Sequence, residues 1–393
     1  MAVAATTGNP LLEPARDLVR RVTCPSCWHG FTPSEVLFVA EDPRLLGDPV
    51  AGVDEPLRFL PSRFDLTGAA MDPMGCRCTR VACPRCRSEV PRAMLEMPAT
   101  FVSMVGAPGA GKTHLLAAGV WSLRSGPGQG VRLTDAEPRM HGRLHAWERQ
   151  LFGGEVHRLA KTETAGGAGY RSVHVQGRDE VVPCPFVFAM HATADADRLL
   201  VLYDNAGEHF LPGADEALRP VTRHLGRSDA LVFLMDPVME PGMRRVLGMP
   251  PVADPPMRQD VLLTEMASRV RHHRGRRADQ RVDVPLVVAL TKADGWSKVA
   301  GLDLEREPFD QDGLDREAIR TAHATCLALL ERGAPEFTAA LQAGFERVLL
   351  VPCSATGGAA PGGPQAVRPG WAGVPLLAAM ALREGLASGG AQA

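Results

Sequence analysis

Residues 98–387 predict an α/β fold: a doubly wound, mostly parallel sheet with helices on both faces. Three observations carry the prediction. After Pro98, seven apolar runs alternate with longer polar or amphipathic stretches. Several runs, such as Leu199–Leu202 and Leu286–Leu290, are near-continuous aliphatic residues, as strands buried on both faces require. The first run, Ala99 to Val105, passes straight into a glycine-rich loop and then a helical pattern from Leu115 to Leu123. In that strand–loop–helix context, backbone N–H groups cradle phosphate oxygens. Before residue 98 lies a small module of different, Cys-rich composition.

At 393 residues, the chain has room for one large α/β domain and a smaller accessory one. Its 45% hydrophobic and 22% charged residues are ordinary for a globular protein and too apolar for a disordered one. A net charge of -2 provides no general attraction for nucleic acid, so a nucleic-acid partner is not expected. Only four lysines occur, Lys112, Lys161, Lys292 and Lys298, and two of them fall in the motifs below. Met1 to Arg20 has no apolar core behind a basic head, and no run approaches the ~18 apolar residues of a membrane span. The expectation is a cytoplasmic, reduced protein, in which nine cysteines suggest metal ligation before disulfides.

In chain order, residues 1–23 read as a leader and 24–97 as a zinc-ribbon-like module. Cys24-Pro-Ser-Cys27 and Cys83-Pro-Arg-Cys86 each place two thiolates on one side of a tight turn. Two such turns complete a closed tetrahedral Zn²⁺ site, structural rather than catalytic. Residues 41–74, rich in Pro, Gly and Asp, read as an insertion looped out between the knuckles. Cys76 and Cys78 are either further ligands, for a second metal or in place of one of the four, or free thiols.

Beyond Pro98 the expected strands are 101–105, 131–133, 186–190, 198–203, 230–235, 286–290 and 348–351. Residues 152–179 lack periodicity and read as a mobile switch loop. Residues 239–283 form a second irregular stretch holding a helix over 257–272. That helix ends in the basic run Arg271 to Arg277, read as a solvated helix end. A long helix is expected over 314–332 and a last one over 374–386, with 388–393 a frayed tail.

The loop is Gly106-Ala107-Pro108-Gly109-Ala110-Gly111-Lys112-Thr113, followed by His114. Its pattern, G-x-x-x-x-G-K-[ST], places Lys112 toward the β- and γ-phosphates and the Thr113 hydroxyl on Mg²⁺. The strand from Leu199 ends in Asp204-Asn-Ala-Gly207-Glu208. Asp204 would hold Mg²⁺ through its water shell, and the Gly207 N–H would meet the γ-phosphate. The next-but-one strand, from Leu286, runs into Thr291-Lys292-Ala293-Asp294. There a carboxylate accepts from guanine N1–H and N2–H while the lysine stem packs along the base. Adenine lacks those donors, so the wrong base leaves a buried carboxylate unpaired at a cost of about 1–3 kcal/mol. The last strand leads into Cys353-Ser354-Ala355, whose backbone would meet the guanine oxygen.

These four motifs together resemble a translation-factor-class (TRAFAC) GTPase. The C-P-x-C pair, the second one upstream of the loop and the strand Ala230 to Pro237 further resemble the second of the double-GTPase families of bacterial conflict and signalling systems. The resemblance implies a GTP/GDP switch that works with protein partners, one of them a related GTPase. In place of the water-orienting glutamine of many small GTPases stands Glu208, whose charge would repel the γ-phosphate. Slow or partner-stimulated hydrolysis is therefore expected, with Lys112, Asp204, Gly207 and Glu208 in the catalytic roles. Thr162 and Thr164 are both candidates for the switch threonine. Two other readings stay open: a nucleotide-gated scaffold that hardly hydrolyses GTP, and a P-loop ATPase acting on nucleic acid.

Overall fold

The computed structural model describes residues 18–125, 130–153, 159, 167, 169–175, 177–192, 196–204, 219–251, 258–310, 313–358 and 366–383. Its contacts divide the chain into two compact units. One comprises Met1–Ala99 with Ser172–Val182, the other Thr100–Arg171 with Pro183–Ala393.

The larger unit is built on seven strands: β1 Ala99–Gly106, β2 Val131–Asp135, β3 Phe186–Ala192, β4 Arg198–Asp204, β5 Ala230–Met235, β6 Leu286–Leu290 and β7 Val348–Pro352. Each lies where the apolar runs predict one. Their order across the sheet is β2-β3-β4-β1-β5-β6-β7. β1, β5, β6 and β7 run parallel. β3 is antiparallel to both β2 and β4, a departure from a uniformly parallel sheet. The cause is local: residues 193–197 between β3 and β4 are too few for the crossover that a parallel pair needs. Because β4 and β5 flank β1 on opposite sides, strand order reverses at β1, where open α/β sheets take ligands beyond the carboxyl ends of the strands.

Eight helices flank these strands among the described residues: α1 Lys112–Ser125, α2 Gly142–Phe152, α3 Arg219–Arg227, α4 Pro241–Val246, α5 Gln259–His273, α6 Arg316–Gly333, α7 Pro335–Gly344 and α8 Val374–Arg383. α6 and α7 are separate because Pro335 cannot donate to a continuing helix, so it opens α7 instead. Asp315 caps α6 by accepting from the Glu317 and Ala318 N–H groups at 3.0 Å. The basic run at the end of α5 is answered by acids: Arg274 and Arg276 pair with Asp283, and Arg277 with Asp279. It is a solvated helix end, as expected. Within residues 152–179, read from sequence as a mobile switch loop, Tyr170–Val175 instead pairs with Arg178–Pro183 in a hairpin turned at Gly177 (φ 77°), while 154–158, 160–166, 168 and 176 lie outside the described residues.

In the smaller unit, Arg58–Phe59, Leu37–Val39, Val81–Ala82 and Glu89–Val90 form a four-stranded sheet in that order. The stretch 41–74 is therefore not simply looped out, since it supplies Arg58–Phe59 to that sheet and a hairpin of Leu46–Asp48 and Gly52–Pro56. Buried aspartates organise it. Asp48 accepts from the N–H groups of Val50, Ala51 and Arg58 and lies 3.4 Å from the Arg87 guanidinium. Asp72 accepts from the N–H groups of Glu41, Asp42, Met74 and Cys76. Burial works to raise the Asp72 carboxyl, but these donors outweigh it and hold the group below its ordinary value.

Candidate functional site

The phosphate loop follows from close packing at the end of β1. A Cβ on Gly106 would lie 2.8 Å from the Leu234 carbonyl oxygen of β5, so only glycine lets β1 pass at this point. Gly109 (φ 80°) and Gly111 (φ 93°) take the left-handed conformation that turns the loop's N–H groups inward. Lys112 opens α1, is buried, and donates from Nζ to the carbonyls of Gly106 (2.8 Å) and Ala107 (3.1 Å). Pro108 and Ala110 complete the turn, Ala110 donating its N–H to Ala107 O at 3.1 Å. His114 faces elsewhere, its Nε2 accepting from the Leu159 N–H at 3.2 Å.

Asp204, at the carboxyl end of β4, meets this loop. The Thr113 hydroxyl donates to its Oδ2 at 3.1 Å, and its Oδ1 is buried without a hydrogen-bond partner among the described residues. Burial raises the carboxyl above its ordinary value, while the charges of Lys112 and Arg143 and the Thr113 bond oppose that. A buried carboxylate oxygen with no donor, beside a threonine hydroxyl, is the donor set that fits a hydrated Mg²⁺. Gly207, Glu208, Thr162 and Thr164 lie outside the described residues.

The proposed base readers gather at the ends of β6 and β7. Thr291 is pinned to β5 through Met235 O, which accepts its N–H at 2.9 Å and its hydroxyl at 3.3 Å. Lys292 adopts φ 55°, followed by a single 3₁₀ turn over Ala293–Gly295 that carries Asp294. The buried Ser354 hydroxyl donates to Asp294 Oδ1 and accepts the Gly357 N–H at 2.9 Å. Ala355 packs against the core beside it. One carboxylate oxygen of Asp294 is thus steadied by Ser354. The T-K-x-D and S-A motifs, some sixty residues apart in sequence, meet in space.

Sequence reasoning missed two residues here. Asp236, just beyond β5, has a side chain only 1% exposed and pairs with Lys292 Nζ. Gln259 at the start of α5 clamps it, accepting the Asp236 N–H at 2.8 Å and donating to Asp236 O at 2.9 Å. The Met-Asp-Pro step after an apolar strand is the one local signal of Asp236; Gln259 has none.

Four thiols meet in the smaller unit. The Sγ atoms of Cys24, Cys27, Cys83 and Cys86 lie within 4.8 Å of one another. The knuckles repeat each other: Trp28 N–H donates to Cys24 O and Arg87 N–H to Cys83 O, with Trp28 at φ 62° and Arg87 at φ 61°. The N–H groups of Ser26 and Arg85 point at the Cys24 and Cys83 sulfurs at 3.4 Å. Burial and its three cysteine neighbours hold the Cys24 thiol protonated far above the ordinary range, a cost that a cation among the sulfurs removes. Four convergent thiols fit Zn²⁺. Cys76 and Cys78 stand outside this group: Cys76 Sγ lies 3.9 Å from an Asp42 carboxylate oxygen and Cys78 Sγ 3.7 Å from Cys76 O. A second compact cluster, Asp135, His141 and His145, also has ligand-like spacing. There, however, His141 is fully engaged. Its Nε2 accepts from the Val187 N–H at 2.9 Å, so Nδ1 carries the proton and donates to Asp135 at 2.7 Å.

The sequence model of the Double-GTPase 2 family matches residues 100–325. No curated protein matches the sequence. Among solved structures, a variant of SsGBP is 14% identical with a TM-score of 0.25, over 66% of this chain and 51% of that one. Sup35 complexed with GDP is 11% identical with a TM-score of 0.25, over 66% of this chain and 38% of that one. The chain thus spans about half or less of the length of these structures.

Proposed function

The chain belongs to the Double-GTPase 2 family, and on that premise we propose that it is a molecular switch that binds GTP with Mg²⁺ and slowly hydrolyses it to GDP and phosphate. Family membership supports guanine-nucleotide binding. The observation that carries the rest is the Thr113–Asp204 contact with its partnerless buried Oδ1. Bound there, Mg²⁺ would neutralise charge on the β- and γ-phosphate oxygens. This chain's own residues supply the remainder: Lys112 on the phosphates, Asp294 on the guanine edge, Ser354 orienting that carboxylate.

Residues 98–387 form the GTPase domain in this reading, and residues 24–97 a zinc-bound module that docks a protein partner. The partner, and service in a bacterial conflict or signalling system as a cytoplasmic TRAFAC-class switch, follow from the resemblance alone. No described helix is long and apolar enough to cross a membrane.

The test is binding of GTP, GDP and ATP with Mg²⁺ by wild type and Asp294→Asn, followed by product analysis. The switch predicts guanine-selective binding that the variant loses by about tenfold or more, with GDP accumulating on wild type. Intact GTP would leave the gated scaffold instead. Preference for ATP would sink the assignment of Asp294.

A further inference from the structure

Arg124 and Arg143 both lie over aromatic rings beside α2, and among the described residues only Arg124 of the two has its charge answered by a carboxylate. Arg124 of α1 lies 5.6 Å over the Phe188 ring, donates to both oxygens of Glu148 at 2.8 Å and pairs with Asp135. Arg143, in the first turn of α2, lies 4.8 Å over the Phe186 ring and 5.0 Å over Trp147. Among the described residues its guanidinium makes no hydrogen bond or ion pair, and its Nε is buried without a partner. Arg143 is half-buried, and a guanidinium keeps its proton, so the stack presents a fixed positive charge to an anion that approaches it.

Its position says which anion. Phe186, under the guanidinium, pairs in register with Leu202, two residues before Asp204. The stack therefore sits on the strand ends that carry the candidate Mg²⁺ carboxylate.

The mounting is rigid. His141 is held between Asp135 (2.7 Å) and the Val187 N–H (2.9 Å), and His145 Nε2 lies 2.7 Å from the other Asp135 oxygen. Arg143 lies between these two histidines on the same turn. A Cβ on Gly169 would come within 2.4 Å of Arg143 Nη1, so the chain passes this guanidinium at glycine distance.

We propose that Arg143 is a catalytic residue that the chain supplies to its own triphosphate, donating N–H bonds to the γ-phosphate oxygens as hydrolysis proceeds. Water oxygen bonds to Pγ while the bond from Pγ to the β–γ bridging oxygen breaks. That electron pair leaves with GDP, and the water protons end on inorganic phosphate and solvent. Arg143 exchanges no proton; it offsets charge moving onto the leaving and equatorial oxygens.

The proposal rests on the GTPase reading, and the experiment separates the two. Single-turnover GTP hydrolysis by the full chain is measured for wild type, Arg143→Ala and Arg143→Lys, beside GDP affinity. Arg143→Ala should slow hydrolysis by about 10³-fold or more, as for arginines that act on transferring phosphoryl groups. GDP affinity should stay within about twofold, the signature of an interaction made only in the transition state. Arg143→Lys keeps an aliphatic stem on Phe186 and Trp147 but loses the planar fork, so it too should be slow. Added guanidinium ion should partly restore Arg143→Ala, which a purely structural role would not permit. Unchanged hydrolysis, or GDP affinity falling as far as the rate, overturns the role of Arg143 alone. No hydrolysis by wild type brings down both readings.

Discussion

The two units solve the same problem, holding a few short motifs in place, by opposite means. In the larger one a continuous apolar core runs through β1, β4, β5, β6 and β7, where Leu231, Val232, Phe233 and Leu234 are all fully buried. Its site residues sit on the ends of strands fixed by that core. In the smaller one, among the described residues, Leu37, Val39 and Ala82 form a core cluster, and Phe31, Val81, Val90 and Met94 are buried as well. Order there comes from four thiols and from Asp48 and Asp72, each receiving several backbone N–H bonds. Burial is non-directional and tolerant; a metal or a buried carboxylate is directional and fails all at once. The difference says where each unit breaks.

The largest effect should follow from removing zinc. Structural Zn²⁺ in small modules carries about 10–16 kcal/mol of binding that is also folding energy. Chelation, or Cys24→Ser, should therefore abolish hydrogen-exchange protection across residues 24–90, while residues 100–352 keep theirs and still bind guanine nucleotide. Protection retained in the module after complete chelation would reject the metal assignment. Parallel loss in both units would erase the contrast between them.

The same contrast explains what was legible in the sequence. Strands buried on both faces leave long aliphatic runs, and six of the seven could be placed from such runs; Val131–Asp135, where Leu133 alone is buried, was placed from a shorter one. The phosphate loop was legible because its geometry demands glycine at fixed positions, and the C-P-x-C knuckles because ligand spacing is local. Direction was harder: β3 turns antiparallel because of a short connection to β4, a length that the sequence displays but that strand composition does not. α2 escaped notice because its polar turn is held by Arg124, Asp135 and Val187 from other elements. Gln259 and Arg143 were invisible for the same reason, since their partners on other strands leave no local pattern, and Asp236 left only the Met-Asp-Pro step after its strand.

A smaller effect should come from Asp236. Its carboxylate is almost fully buried against Lys292 Nζ, so Asp236→Asn leaves the ammonium without its counter-ion beside the base site. The expected loss is about 1–3 kcal/mol in affinity for both GTP and GDP. The pairing makes a sharper claim: in a Lys292→Met background the same substitution should cost much less. An equal loss in both backgrounds would mean that Asp236 acts through its bond to the Val238 N–H, at 3.0 Å, and not through Lys292.

The smallest effect concerns pH. Burial lowers the His141 pKa below its ordinary value, against the bond from Asp135, which favours the imidazolium. A folded state that resists protonation binds fewer protons than the unfolded chain once pH falls past the unfolded pKa of about 6.5. The contribution is therefore intact above that pH and lost as pH falls below it, by at most about 1.4 kcal/mol per pH unit. Asp135, His145, Arg124 and Glu148 face the same cluster. Of these, Glu148 is held above its ordinary value by burial, which gives it the opposite sign: its contribution is present below its unfolded pKa and fades as pH rises. Denaturant unfolding of the nucleotide-binding unit between pH 7.5 and 5.5 should thus show falling stability in wild type and a shallower slope in His141→Gln. Identical slopes would leave the imidazole without a part in the pH response, and the rigidity claimed for the mounting of Arg143 would then rest on Arg124 and Asp135 alone.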